Sequence, residues 1–176
     1  MKKSYPSHDP IEAMGDAYEL LLKKAFDKAH QSDAGVHAMV EAIRDNAVEL
    51  DKFSDDEIVK LEGYLRRDLI DAARYMDQTG EELKDWLGFD LALIKHELWE
   101  RFSAAADQTT LALDQLKLQA DIVGYRTGEI TGLGRLVCDQ CGENLHFHKP
   151  GHIPPCPKCK TTHFHRYGYP TEPAAL

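Results

Sequence analysis

A chain of 176 residues, 43% hydrophobic and 29% charged, can bury a core and has the composition of a soluble globular protein. Its formal charge of −9 is unevenly placed: residues 1–124 carry 15 basic and 26 acidic side chains, and residues 125–176 carry six basic and four acidic. Neither part has the basic footprint of a general nucleic-acid binder, and no apolar run is long enough to cross a bilayer. With no secretory h-region in Met1–Pro10, the expectation is a cytoplasmic protein that neither enters membranes nor binds nucleic acid directly.

Residues 1–124 read as helical, with proline only at Pro6 and Pro10. Asp9-Pro10-Ile11-Glu12 is a helix start: an N-cap acid, proline at the first helical position and an acid in the first turn. Ile11, Met14, Tyr18, Leu21 and Ala25 then recur at gaps of three and four, and Val36, Val40, Ile43, Ala47 and Leu50 repeat the pattern in a second helix. Ser54-Asp55-Asp56-Glu57 is a capping box. It opens a third helix with its stripe on Ile58, Leu61, Leu65, Leu69, Ala72 and Met76.

Thr79-Gly80-Glu81-Glu82 reads as another capping box, followed by Leu83, Leu87, Leu91, Ile94, Leu98 and Phe102 on one side. The pattern then runs through Leu111, Leu116 and Ile122, which predicts one long or gently broken helix ended by Gly124. Short connections near 32–35, 53–54 and 78–80 favour antiparallel neighbours. The expected fold is mainly α: an antiparallel helical hairpin or bundle, coiled-coil-like, followed by a small β module. Trp86 and Trp99 are expected in the core. An exposed stripe would instead serve a partner or homo-oligomerisation. The carboxylates read as a solvated acidic face, and His96, Glu97 and Glu100 as helix-surface pairs.

The other six prolines lie at or after Pro150. This shift divides the chain into an acidic helical domain at 1–124, a ribbon domain at 125–169 and a disordered tail at 170–176. Leu133–Val137, Asn144–His148 and Thr162–Tyr167 read as strands. The four cysteines of the chain fall as Cys138-Asp139-Gln140-Cys141 and Cys156-Pro157-Lys158-Cys159, spaced C-x2-C-x14-C-x2-C. Two such knuckles bring four thiolates to one ion and complete a closed tetrahedral shell. Zinc is expected, one structural ion per chain, with iron as the alternative. A closed shell leaves no position for substrate, and no nucleophile–base pair stands out, so an enzyme is not expected.

Five of the nine histidines lie here: His146, His148, His152, His163 and His165. They read as solvent-facing strand residues, with a second metal site as the sharper alternative. Phe147, Phe164 and Tyr167 are expected to cover the ribbon core. Aromatics beside Arg166 and Lys149 could stack on bases.

The run Gly128-Glu129-Ile130-Thr131-Gly132-Leu133-Gly134-Arg135-Leu136-Val137-Cys138, with Pro155-Cys156-Pro157-Lys158-Cys159 and Phe164-His165-Arg166, resembles a bacterial family of zinc-ribbon-containing proteins of unknown function, the YbeL-like family. The resemblance implies a charged helical N-terminal region, a C-terminal ribbon and metal ligation by Cys138, Cys141, Cys156 and Cys159. Lys160 departs from it, standing where a knuckle glycine is usual. The function expected is that of a non-enzymatic zinc protein acting as a protein-interaction or regulatory adaptor. The alternative is a nucleic-acid-associated accessory factor in transcription or translation.

Overall fold

The computed structural model describes residues 10–29, 53–116 and 124–167. Its described helices are α1 (Pro10–Ala29), α2 (Asp55–Thr79), α3 (Leu83–Leu87) and α4 (His96–Leu116). The helix expected around Val36–Leu50, the tail, and Leu118, Ile122 and Val123 lie outside the described residues. At the start of α2 the capping box forms as expected. Ser54 Oγ accepts from the Glu57 N–H at 3.3 Å, and the Glu57 carboxylate accepts from the Ser54 N–H at 2.8 Å. The helix ends at Gly80, whose left-handed backbone lets its N–H reach Met76 O at 2.9 Å.

Two expectations fail just beyond this point. Thr79 closes α2 rather than opening a new helix: its hydroxyl donates to Tyr75 O at 2.6 Å, and Glu82 caps α3 without a side-chain bond. The helix expected from Gly80 onward is broken. α3 stops after five residues at Gly88, where φ is +73°. Asp90 then accepts from the Ala92 N–H at 2.9 Å and starts a 3-10 turn over Leu91–Leu93, so that α4 begins only at His96. The leucine spacing ran unbroken through this segment, but a left-handed glycine followed by a capping aspartate outweighs it locally. The break folds Trp86 back onto Phe102, their rings stacked at 5.4 Å.

Among the described residues the strands are β1 (Tyr125–Arg126), β2 (Ile130–Thr131), β3 (Gly134–Cys138), β4 (Asn144–Phe147), β5 (Gly151–His152) and β6 (His163–Arg166). β1-β6-β3-β4 form one antiparallel sheet and β2-β5 a separate pair. The three longer strands lie where alternation placed them. The three two-residue strands are too short to leave a period in the sequence.

The helical stripes bury as expected: Tyr18, Leu21, Leu61, Leu65, Trp86, Leu87 and Phe102 are fully enclosed, with Trp99 half-buried against them. Ile130 and Leu133 of the ribbon belong to the same core. Polar groups line this junction too. Asp68 and Asp71 of α2, read from sequence as part of a solvated acidic face, are 0% and 1% exposed. Asp68 accepts from Tyr18 Oη at 2.7 Å, the Gly132 N–H at 2.6 Å and Arg166 Nη2 at 3.4 Å. Asp71 accepts from the Tyr125 hydroxyl, and burial raises its carboxyl pKa against the pull of Arg166 and that hydrogen bond. Nearer the surface, Arg67 joins Glu129 Oε2 at 2.6 Å and Ile130 O at 2.9 Å, with its guanidinium 3.9 Å from the Tyr125 ring centre.

The turn between β4 and β5 lies against α1. A Cβ on Gly15 would meet Pro150 O at 2.7 Å, inside van der Waals contact with rigid backbone. Elsewhere in a helix Gly→Ala stabilises by about 1 kcal/mol. Gly15→Ala is expected instead to lower stability by about 1–3 kcal/mol, because the overpacked contact pushes α1 off the ribbon. Urea unfolding checks this through a lower midpoint with an unchanged slope.

Candidate metal centre

The sheet brings together the four residues that the spacing pointed to. Cys138 ends β3, Cys141 closes the first knuckle, and Cys156 and Cys159 form the second, just before β6. The four sulfurs all lie within 4.8 Å of one another, with Cys138–Cys159 at 3.5 Å and Cys141–Cys156 at 3.6 Å. No disulfide joins them. A tetrahedron with metal–sulfur bonds of about 2.3 Å has edges of about 3.8 Å, so the donor set fits a zinc-sized ion.

The two knuckles repeat one geometry. The Cys138 N–H donates to Glu143 O at 2.8 Å and the Gly142 N–H returns to Cys138 O at 3.0 Å. In the second knuckle the Cys156 N–H donates to Thr161 O at 2.9 Å and the Lys160 N–H returns to Cys156 O at 2.9 Å. Gly142 has φ +73°, and Lys160, its counterpart, has φ +65°. Among the described residues Lys160 is the one non-glycine with positive φ. The lysine therefore adopts the backbone that the usual glycine would, and carries the steric cost of doing so.

Backbone N–H groups also point at sulfur. Burial opposes ionisation of Cys156, but the N–H groups of Cys159 and Lys158 and the neighbouring thiols outweigh it and bring its pKa down to about 6. Cys141 receives the Glu143 N–H, yet burial and the three adjacent thiols push it up to about 12. A cluster with one thiol ready to ionise and another resisting it is one in which a dication would displace protons. Two of the ligands are also part of the ribbon's small apolar core, with Tyr125, Leu136, Ile153 and Phe164.

The remaining sequence candidates lie elsewhere. His146, His148 and His163 are exposed, and His146 and His148 edge onto Phe89 at 5.8 and 4.7 Å. His165 Nδ1 lies 2.6 Å from Asp139 Oδ1. Among the described residues no histidine joins a second cluster of metal-binding groups. His96 pairs with Glu100 at 3.1 Å and Glu97 with Arg101 at 3.9 Å, all on the α4 surface. Phe164 is buried and Phe147 half-buried in the ribbon core, but Tyr167 is not there. It is 42% exposed, with the Arg135 guanidinium 3.1 Å from its ring centre. Of the groups expected near a stacking surface, Phe164 and Arg166 are each 1% exposed and so closed to a base.

The sequence profile of the family described as "Zinc-ribbon containing domain" matches residues 23–168. The chain belongs to this zinc-ribbon family. Relatives described as "Uncharacterized protein YbeL" occur in Escherichia coli K12, O6:H1 and O157:H7. Each is 29% identical over 154 residues, covering 85% of this chain and 92% of the relative. No solved structure matches. Family and cysteine cluster together point to a bound metal, zinc, in a zinc-ribbon module.

The paired knuckles make a direct comparison possible. Gly142→Ala is expected to cost about 1 kcal/mol, and Lys160→Gly to stabilise by up to about 1 kcal/mol once the added freedom of glycine in the unfolded chain is deducted. Thermal unfolding of the metal-loaded variants measures both signs.

Proposed function

We propose that the protein is a non-enzymatic zinc protein, with one structural ion per chain, that works in the cytoplasm as a protein-interaction or regulatory adaptor. The observation carrying this reading is the convergence of four thiols from two knuckles. Protein sulfur completes the shell, and a saturated tetrahedral ion has no position to polarise substrate or activate water. The ion's role is then to hold a surface. Asp139, Gln140, Pro157 and Lys158 on the knuckles are exposed, and a metal cross-link beneath them fixes their arrangement. A protein partner suits a chain whose helical part is acidic.

One observation favours a second reading, an accessory factor in transcription or translation. Lys149, Lys158 and Lys160 are exposed on the ribbon, so the less acidic module presents three lysines outward. Against direct contact stands the overall charge of −9.

The test is affinity capture of the full chain from its native cells beside a Gln140→Ala, Lys158→Glu double variant, which alters the knuckle surface and spares the ligands. A stoichiometric protein partner lost from the double variant is the expected result. Equal recovery with both would remove the ribbon surface from the proposed contact. Salt-sensitive oligonucleotide binding that the variant loses would favour the second reading. Elemental analysis of the same preparation should return about one zinc per chain and no iron.

A further inference from the structure

The side chain that joins the ribbon to the helices belongs to a strand whose position the metal centre fixes. β6 is one of the two inner strands of the four-stranded sheet, pairing with β1 on one side and β3 on the other. Cys138, at the end of β3, lies opposite Phe164, and Cys159 enters the same region four residues before His163. An ion shared by these cysteines would tie β3 to the chain entering β6 and so fix the pairing of Leu136 with Arg166. Side chains alternate along a strand, so a slip of one residue would turn Arg166 to solvent and bring its neighbour inward.

In the register observed, Arg166 enters the helical core. Its Nη1 donates to Leu133 O at 3.0 Å, and its Nη2 to Thr131 Oγ1 at 3.0 Å and Asp68 Oδ1 at 3.4 Å. Nε and Nη2 donate to Tyr125 Oη at 3.3 and 3.2 Å, and that hydroxyl donates to Asp71. The guanidinium also lies 4.7 Å from the Trp86 ring centre. Two buried carboxylates of α2 thus depend on groups supplied by the ribbon.

We propose that metal occupancy of the four-cysteine centre controls the stability of the helical core, with the register of β6 and buried Arg166 as the link. This rests on the assignment of metal binding and is independent of any adaptor role. The ribbon's own apolar core is a handful of residues, two of them cysteine ligands, and is too small to hold the strands without the ion. When the ion leaves, β6 loses its register. Asp68 then loses Arg166 and the Gly132 N–H, and Asp71 loses Tyr125. Asp68 keeps Tyr18 and Arg67, but buried carboxylates that lose part of their hydrogen bonding and counter-charge destabilise the helix that carries them. The composition shift near residue 124 therefore does not separate two independent folding units.

The test uses the full chain, reduced, with bound zinc measured first. Zinc is withdrawn with a competing chelator while circular dichroism at 222 nm follows helix and tryptophan fluorescence follows the surroundings of Trp86 and Trp99, both at the helical core. Helical signal and fluorescence are expected to change together with zinc loss and to return when zinc is restored. By reciprocity, Arg166→Met should weaken zinc retention against the chelator by about tenfold or more, whereas Lys149→Ala, exposed on the ribbon, should retain wild-type affinity. If Arg166→Met does not fold, chelation of the wild type decides alone. A zinc-depleted chain with full helicity, unchanged fluorescence and an unchanged melting temperature would overturn the coupling and leave the metal assignment standing. A purified chain holding no metal would overturn both. Equal weakening by Lys149→Ala would remove Arg166 as the link.

Discussion

A guanidinium with 1% of its surface exposed, set between two buried carboxylates, is the constraint on which the rest of this structure depends. Removing one partner from a buried pair costs roughly 3–5 kcal/mol, because the charge left behind is away from water; here Arg67 Nε, 3.3 Å from Asp68, would be the counter-ion that remains. The arrangement therefore requires both sides to be held in place at once. α2 supplies Asp68 and Asp71 three residues apart on one face, and the ribbon supplies Arg166, Tyr125, Thr131 and the Gly132 N–H. Every nitrogen of Arg166 that can donate has an oxygen within 3.4 Å.

The metal centre takes on a wider role in that light. Four sulfurs on two matching knuckles hold together a module whose own apolar core is small. By fixing where β3 and β6 meet, they also fix which side of β6 faces the helices. Ligand geometry, strand register and helix stability are then successive steps of one dependence. The adaptor reading fits it, since a surface mounted on such a module is presented in one arrangement.

The metal site was legible in the sequence because its ligands are adjacent in pairs and their chemistry is explicit in the residue type. The helical stripes were legible for a similar reason: Leu61, Leu65 and Leu69 declare a buried face by spacing alone. The same spacing carries a further signal. Asp68 stands seven residues after Leu61 and three after Leu65, in the apolar row rather than on the acidic face. Its partner Arg166 lies 98 residues away, on a strand of four residues, and no local pattern joins the two. The break at Gly88 was hidden differently. The leucine period continues across it, and only the left-handed glycine and the Asp90 cap show that the chain turns. Lys160 shows the converse, since the residue type argues against a left-handed backbone that the knuckle geometry imposes.

The most direct measurement of the central claim is hydrogen exchange along α2, read by mass spectrometry with zinc bound and with zinc withdrawn. Peptides spanning Asp68 to Tyr75 contain no metal ligand, so any change there must pass through the ribbon contact. The account predicts that their amides, strongly protected with zinc, lose protection when it is removed. Protection in this segment that is the same with and without zinc would contradict it.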